Sequence, residues 1–150
     1  MADSHVWQVR SRDYSPHLRA GDRLVFSLRV NPTVKRAPAP GVRSIRHDVV
    51  MDARRHGTAP DPTGGLYDQA GLAWLKPRAM TAGFQVEQVR IDGYRRHQLY
   101  KRGRAPIVFS TLDFEGILTV IEPTEFCRTL MNGIGPAKSF GCGLLLVRRA

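Results

Sequence analysis

Arg23-Leu-Val-Phe-Ser-Leu-Arg-Val30 alternates without a break: Leu24, Phe26, Leu28 and Val30 share one face, and Arg23, Val25, Ser27 and Arg29 the other. A period of two with one apolar face predicts a half-buried β-strand. Asn31-Pro32 ends it, because proline cannot donate to a ladder. Residues 33–44 hold three prolines or glycines together with Lys35, Arg36 and Arg43, which predicts a solvated basic loop, and residues 46–51 predict a short second strand.

Further along, residues 56–65 contain two prolines and three glycines and read as a connector. Ala70, Ala73, Trp74 and Leu75 have helical spacing within 66–83. Pro77 lacks an N–H and clashes with the carbonyl four residues back, so a kink or early stop is expected near Lys76. Gly83 is a C-terminal helix signal, and residues 85–91 resemble a strand.

Residues 93–104 are strongly basic, bounded by Gly93 and Gly103, and predict a separate hairpin carrying Arg95, Arg96, Lys101, Arg102 and Arg104. Residues 107–121 then alternate as a long strand with Val108, Leu112, Phe114, Leu118 and Val120 facing the core. Pro123 opens a short helix with Phe126, Leu130 and Met131 on its apolar face, and Gly133 closes it. A last strand spans 144–147. The main elements follow β-α-β-β-α-β, so the predicted fold class is α+β: a ferredoxin-like (RRM-like) domain with an inserted basic β-hairpin.

The chain has 150 residues, enough for one compact domain with a core of its own. Its 23 Lys and Arg oppose 13 Asp and Glu, a net charge of +10, which favours a polyanionic partner held by counterion release. No apolar run approaches the length that spans a bilayer, and the first residues lack the charged and apolar regions of a secretion signal, so a cytoplasmic protein without membrane partners is expected. Cys127 and Cys142 have no metal-type spacing and read as reduced structural thiols. The five histidines lack HxxxH or HExxH spacing; no metal and no cofactor is expected.

Gly133-Ile-Gly-Pro-Ala-Lys138-Ser139-Phe140-Gly141-Cys142-Gly143 is the most distinctive string in the chain. Glycines reach positive φ and let backbone N–H groups approach a ligand, while Lys138 and Ser139 suit phosphate oxygens. A turn joining helix to strand would use some of the same letters. A Walker-type loop needs glycine before the lysine, where Ala137 stands, and Gly133-Ile-Gly135 lacks the third glycine of a dinucleotide fingerprint. Backbone phosphates of a nucleic acid are the better candidate. In the basic stretch, Tyr94 and Tyr100 add surfaces on which a base could stack, although such charge runs are commonly just solvated. Tyr14 and His17 form a possible general acid/base pair, and Asp113 and Glu115 alternate onto one strand face without assigned chemistry.

The glycine string, the segment Leu24-Val-Phe-Ser-Leu-Arg-Val-Asn-Pro-Thr33 and the strand Phe114-Glu-Gly-Ile-Leu-Thr-Val120 resemble, in the same order, the CasE family of repeat-processing endoribonucleases of Cascade-type CRISPR complexes. The resemblance implies two tandem ferredoxin-like domains, of which this chain matches the second: residues 1–19 would be a linker remnant and 20–150 the C-terminal RNA-binding domain. It implies metal-independent cleavage, in which a 2′-hydroxyl attacks the adjacent phosphate at the base of the repeat hairpin. Its implied partners are repeat-hairpin or guide RNA, other Cascade-type subunits and a separate N-terminal half. The family's RNA contacts map onto Arg95, Arg96, Lys101, Arg102 and Arg104 and onto the glycine loop with Gly133, Gly135, Lys138, Ser139, Gly141 and Gly143; Lys35 and Arg36 of the basic loop are further candidates for RNA binding by their charge. The family's catalytic Tyr-x-x-His lies in the N-terminal domain. Tyr14 and His17 reproduce the spacing but flank Pro16 just before the second domain's first strand, so the match reads as coincidence, and a non-catalytic RNA-binding or structural subunit is the alternative.

Overall fold

The computed structural model describes residues 9–11, 13–37, 39–56 and 65–150. Most of the predicted 56–65 connector and residues 1–8 and 12 of the predicted linker lie outside the described residues. The elements are β1 (Arg23–Val30), β2 (Thr33–Arg36), β3 (Ile45–Asp48), α1 (Val49–Arg55), α2 (Leu66–Thr81), β4 (Phe84–Leu99), β5 (Ile107–Val120), α3 (Pro123–Asn132), a 3₁₀ turn (Lys138–Phe140) and β6 (Leu145–Arg149).

β4, β5, β1 and β6 lie side by side in that order, all neighbours antiparallel, and β2 pairs with β3 in a separate ribbon. This is the ferredoxin-like arrangement expected from the element order. Alternation in β1 buries Leu24, Phe26, Leu28 and Val30. They meet Trp74, Leu75 and Ala79 of α2, Phe126 and Leu130 of α3, and Leu112, Phe114, Leu118 and Val120 of β5 in one core. Close approach of α2 to the sheet needs Gly71, where a Cβ would lie 3.2–3.3 Å from Ile91 and Leu112.

Several boundaries differ from the sequence expectations. α2 runs through Pro77 to Thr81. Both Pro77 and Ala73, whose carbonyl the proline cannot satisfy, are exposed, so water can solvate that carbonyl, while Trp74, Leu75 and Ala79 hold the opposite face on the sheet. Arg78 Nη1 also donates to the Trp74 carbonyl at 2.8 Å. The expected loop at 33–44 begins instead as β2, with Lys35 opposite Arg46. The expected strand at 46–51 stops at Asp48, whose carboxylate accepts from the N–H groups of Val50 and Met51 at 2.9 Å and so caps α1.

Residues 93–104 are not a hairpin of their own. β4 continues across Gly93 (φ +66°) to Leu99, with irregularities at Val86/Gln88 and Asp92/Arg95, and pairs with β5 as far as Leu99 opposite Ile107. The inserted basic hairpin is therefore the outer half of one long β4–β5 hairpin, with residues 100–106 as its tip. Val108 lies there and is exposed, unlike the rest of its predicted core face, and Met131 likewise points outward from α3. Among the described residues no helix is long and apolar enough to cross a membrane.

Candidate nucleic-acid interface

Neighbouring strand residues project to opposite faces of a sheet, and this divides the basic cluster. Arg95 pairs across from Thr111 and His97 from Phe109, on the face of the sheet that none of the described helices covers; Arg96 pairs across from Ser110, on the helix side. Lys101, Arg102 and Arg104 occupy the exposed tip, where the Arg104 N–H donates to the Lys101 carbonyl at 3.1 Å. Among the described residues none of these five cations has a carboxylate partner, whereas Arg23 pairs with Glu87, Arg29 with Asp113, and Arg90 with Asp92. Arg29 Nε and Nη2 grip the Asp113 carboxylate at 2.6 and 2.7 Å, so this acid on the uncovered face is already neutralised.

The glycine loop folds toward that hairpin. Gly133, Gly135, Gly141 and Gly143 all have positive φ, and the loop closes on itself: Ile134 N–H donates to the Gly143 carbonyl at 2.8 Å, and Gly143 N–H to the Arg29 carbonyl at 2.6 Å. A Cβ on Gly133 would lie 2.7 Å from Gly143 O, so these two positions require glycine for close backbone approach as well as for conformation. Gly135 packs against the Trp74 ring, whose Nε1 donates to the Thr33 carbonyl at 3.1 Å, tying the loop to α2 and β2. Part of the loop's composition thus serves its own closure. Lys138 and Ser139 stand exposed on the 3₁₀ turn, and burial pushes the Cys142 thiol pKa upward.

Phe140 joins the loop to the hairpin. Its ring stacks on Phe109 at 4.9 Å between centroids, and Phe109 stacks on His97 at 4.8 Å; His97 Nε2 lies 3.0 Å from Thr111 Oγ1. Phe140 remains 43% exposed, so the column ends on an open aromatic surface beside Lys138. His97 and Phe109 were not among the candidates from sequence. Their spacing carries no signal, since β4–β5 pairing brings positions 97 and 109 together and only the fold of the glycine loop adds position 140.

Other candidates are placed elsewhere. Tyr94 is half-buried, stacks on Tyr67 at 5.1 Å and donates from its hydroxyl to Asp48 at 3.3 Å; burial, then the Asp48 charge, raises its pKa. Only Tyr100, 80% exposed, keeps the free surface expected of both tyrosines. Arg36 is engaged: Nε and Nη2 donate to the Asp52 carboxylate at 2.5–2.9 Å, which removes it from the pool of available cations. Lys35 is exposed without a carboxylate partner among the described residues. Tyr14 and His17 lie exposed on a segment whose Pro16 carbonyl faces Cys127 Sγ of α3 at 3.9 Å. α3 packs at the Phe84 end of β4, opposite to its basic end, so the structure does not bring this pair to the hairpin.

A protein-family model described as "CRISPR associated protein" matches residues 1–149. The chain belongs to this family. It is 28% identical over 144 residues to the CRISPR system Cascade subunit CasE of Escherichia coli strain K12, covering 91% of the chain and 63% of that protein. It is 29% identical over 148 residues to the CRISPR-associated endoribonuclease Cse3 of Thermus thermophilus, covering 91% and 60%. The CasE resemblance drawn from the glycine string is thus borne out, and the chain spans less than two thirds of either relative. Among solved structures, Thermus thermophilus Cse3 bound to an RNA representing a pre-cleavage complex superposes with a TM-score of 0.65 at 30% identity, covering 90% of this chain and 57% of that one. The Cas6e protein of Escherichia coli K-12 gives 0.66 at 25% identity, covering 95% and 68%.

Proposed function

We propose that this CRISPR-associated chain binds the stem of a repeat-hairpin RNA as part of a Cascade-type complex, and that the residues which cut the RNA are supplied by a domain outside residues 20–150. The observation that carries the reading is the outer β4–β5 hairpin: Arg95, Lys101, Arg102 and Arg104 are unpaired among the described residues and stand beside an aromatic column and the Lys138-Ser139 turn. The RNA-bound relative supports it. An A-form stem offers phosphates and 2′-hydroxyls more readily than base edges, so the cations at the tip follow the backbone and shape supplies much of the selectivity. Phe140 provides a stacking surface where the stem opens into single strand. Cleavage in this reading is metal-independent, the setting is cytoplasmic, and Tyr14 and His17 take no part.

Fluorescence anisotropy with a labelled repeat stem-loop tests this. Removing Lys101, Arg102 and Arg104 together by alanine substitution should weaken binding at least tenfold and flatten the plot of log affinity against log salt by about two to three units, at roughly 0.7–0.9 per lost phosphate contact. The chain alone should yield no cleaved product, whereas co-expression with a domain carrying the catalytic pair should. Equal affinity for the stem-loop and an unrelated duplex at physiological salt would overturn the specific-recognition reading.

A further inference from the structure

The helix-side face of the same hairpin forms a second concavity. A cleft of about 470 Å³, lined by residues that include Asn31, Arg46, Arg55, Tyr94 and Arg96, opens between α1, the β2–β3 ribbon and the outer β4–β5 strands. That volume lies within the range of about 300–1,000 Å³ usual for small-molecule sites. Asn31 is 9% exposed, and among the described residues its Oδ1 has no hydrogen-bond partner. A buried acceptor left unpaired is costly; Oδ1 has almost no accessible surface, but Asn31 lines the cleft, and a rotation of its amide would bring Oδ1 to a ligand donor that relieves it.

The charges around it point the same way. The two acids in the lining are already committed: Asp48 to the N–H groups of Val50 and Met51, Tyr94 Oη and Ser110 Oγ, and Asp52 to Arg36 and His56. Arg46, Arg55 and Arg96 have no carboxylate partner among the described residues, and Arg46 faces Lys35 directly across the ribbon. Like charges opposed on neighbouring strands repel unless an anion lies between or beside them. Tyr94 adds an aromatic side chain to the lining, so the cleft combines cations without carboxylate partners, an orphan acceptor and a ring.

We propose that this cleft holds one unpaired ribonucleotide of the RNA strand flanking the stem, its phosphate on Arg46, Arg55 and Arg96 and a base amino group or ribose hydroxyl donated to Asn31 Oδ1. The strand assignment rests on the RNA-binding reading above; the cleft's preference for a nucleotide does not. Arg95 and Arg96, adjacent in sequence, then serve different parts of one RNA, the stem on the uncovered face and the flank on the helix side.

Two titrations of the full chain separate these claims. In the first, followed by ¹H–¹⁵N NMR, 5′-AMP should shift the Asn31 side-chain amide and the backbone signals of Arg46 and Arg55, with adenosine and inorganic phosphate each binding at least fivefold more weakly. Arg55→Gln, an exposed change on α1, should lower AMP affinity at least threefold, and Asn31→Ala should erase the preference for AMP over phosphate. Shifts confined to residues 100–106 and the glycine loop would overturn the site. In the second, a stem-loop carrying three unpaired nucleotides at its 5′ or its 3′ end should bind at least fivefold tighter than the blunt stem-loop, and Arg55→Gln should abolish that gain while leaving blunt binding unchanged. Blunt binding with no gain from either extension overturns the flank claim and leaves the stem reading standing. AMP in the cleft with no stem-loop binding does the reverse.

Discussion

At Gly143 the backbone has φ +90°, and a Cβ would lie 2.5 Å from the Ile134 carbonyl oxygen; at Gly141 φ is +80° but nothing lies within 4 Å. The two substitutions therefore separate conformation from contact. Gly141→Ala should cost only the left-handed backbone penalty, about 1–2 kcal/mol, which Ala137 (φ +62°) already bears in the same loop. Gly143→Ala adds a clash with main chain that no rotamer can relieve, and its loss in urea denaturation should be at least twice as large. Equal losses would mean that the loop opens freely and that its closure does not shape the site. The four glycines are legible in the sequence as sites of positive φ; that Gly133 and Gly143 approach each other while Gly141 faces open space is not, because it depends on where β1 and α2 meet the loop. For the same reason Asn31 gives no sign of being an unpartnered acceptor until the cleft forms around it.

Among the elements, α2 shows how packing overrides a local rule. Pro77 lies in the helix interior, yet Trp74 and Leu75 before it and Ala79 after it are all buried on the sheet, so an early stop would expose Ala79 to save one carbonyl. Pro77→Ala restores the missing N–H on an exposed turn and should raise stability by about 1–3 kcal/mol, seen as a higher urea midpoint with an unchanged slope. A loss of stability would show that the proline fixes a bend the sheet requires. β1 and most of β5 are legible because one face of each is buried, so alternation records the fold directly. The boundary at Val49 is not: two valines read as strand until Asp48 is seen capping a helix whose Val49 and Val50 pack into the core. Gly93 presents the same difficulty, since a glycine at positive φ marks a turn or an irregular strand position equally well, and only the partner strand decides.

Over the whole molecule, acid removes the charges that oppose its cations. At neutral pH 13 carboxylates offset 23 Lys and Arg; protonating them leaves the cations of one small domain to repel each other. Specific pairs add to this. Arg36 hydrogen bonds hold the Asp52 pKa below the usual carboxylate value, Arg23 and then Thr119 do so for Glu87, and the Gly93 N–H followed by Arg90 does so for Asp92. A carboxylate with a depressed folded-state pKa stabilises the protein above its unfolded pKa, near 4, and that contribution disappears as pH falls through the folded value. The melting temperature should therefore hold from pH 7 to about 5 and fall below about 4. Arg36→Gln removes the main cause of the Asp52 shift and leaves burial, which raises the pKa, opposed by the smaller effects of His56 and His47, so the variant should melt lower at pH 7 but lose less between pH 5 and 3. An acid limb in Arg36→Gln that parallels the wild type would assign acid lability to general repulsion alone. Adding salt separates the two contributions further, because screening relieves repulsion among exposed cations more than it weakens the contacts of Asp52, whose carboxylate is only 9% exposed.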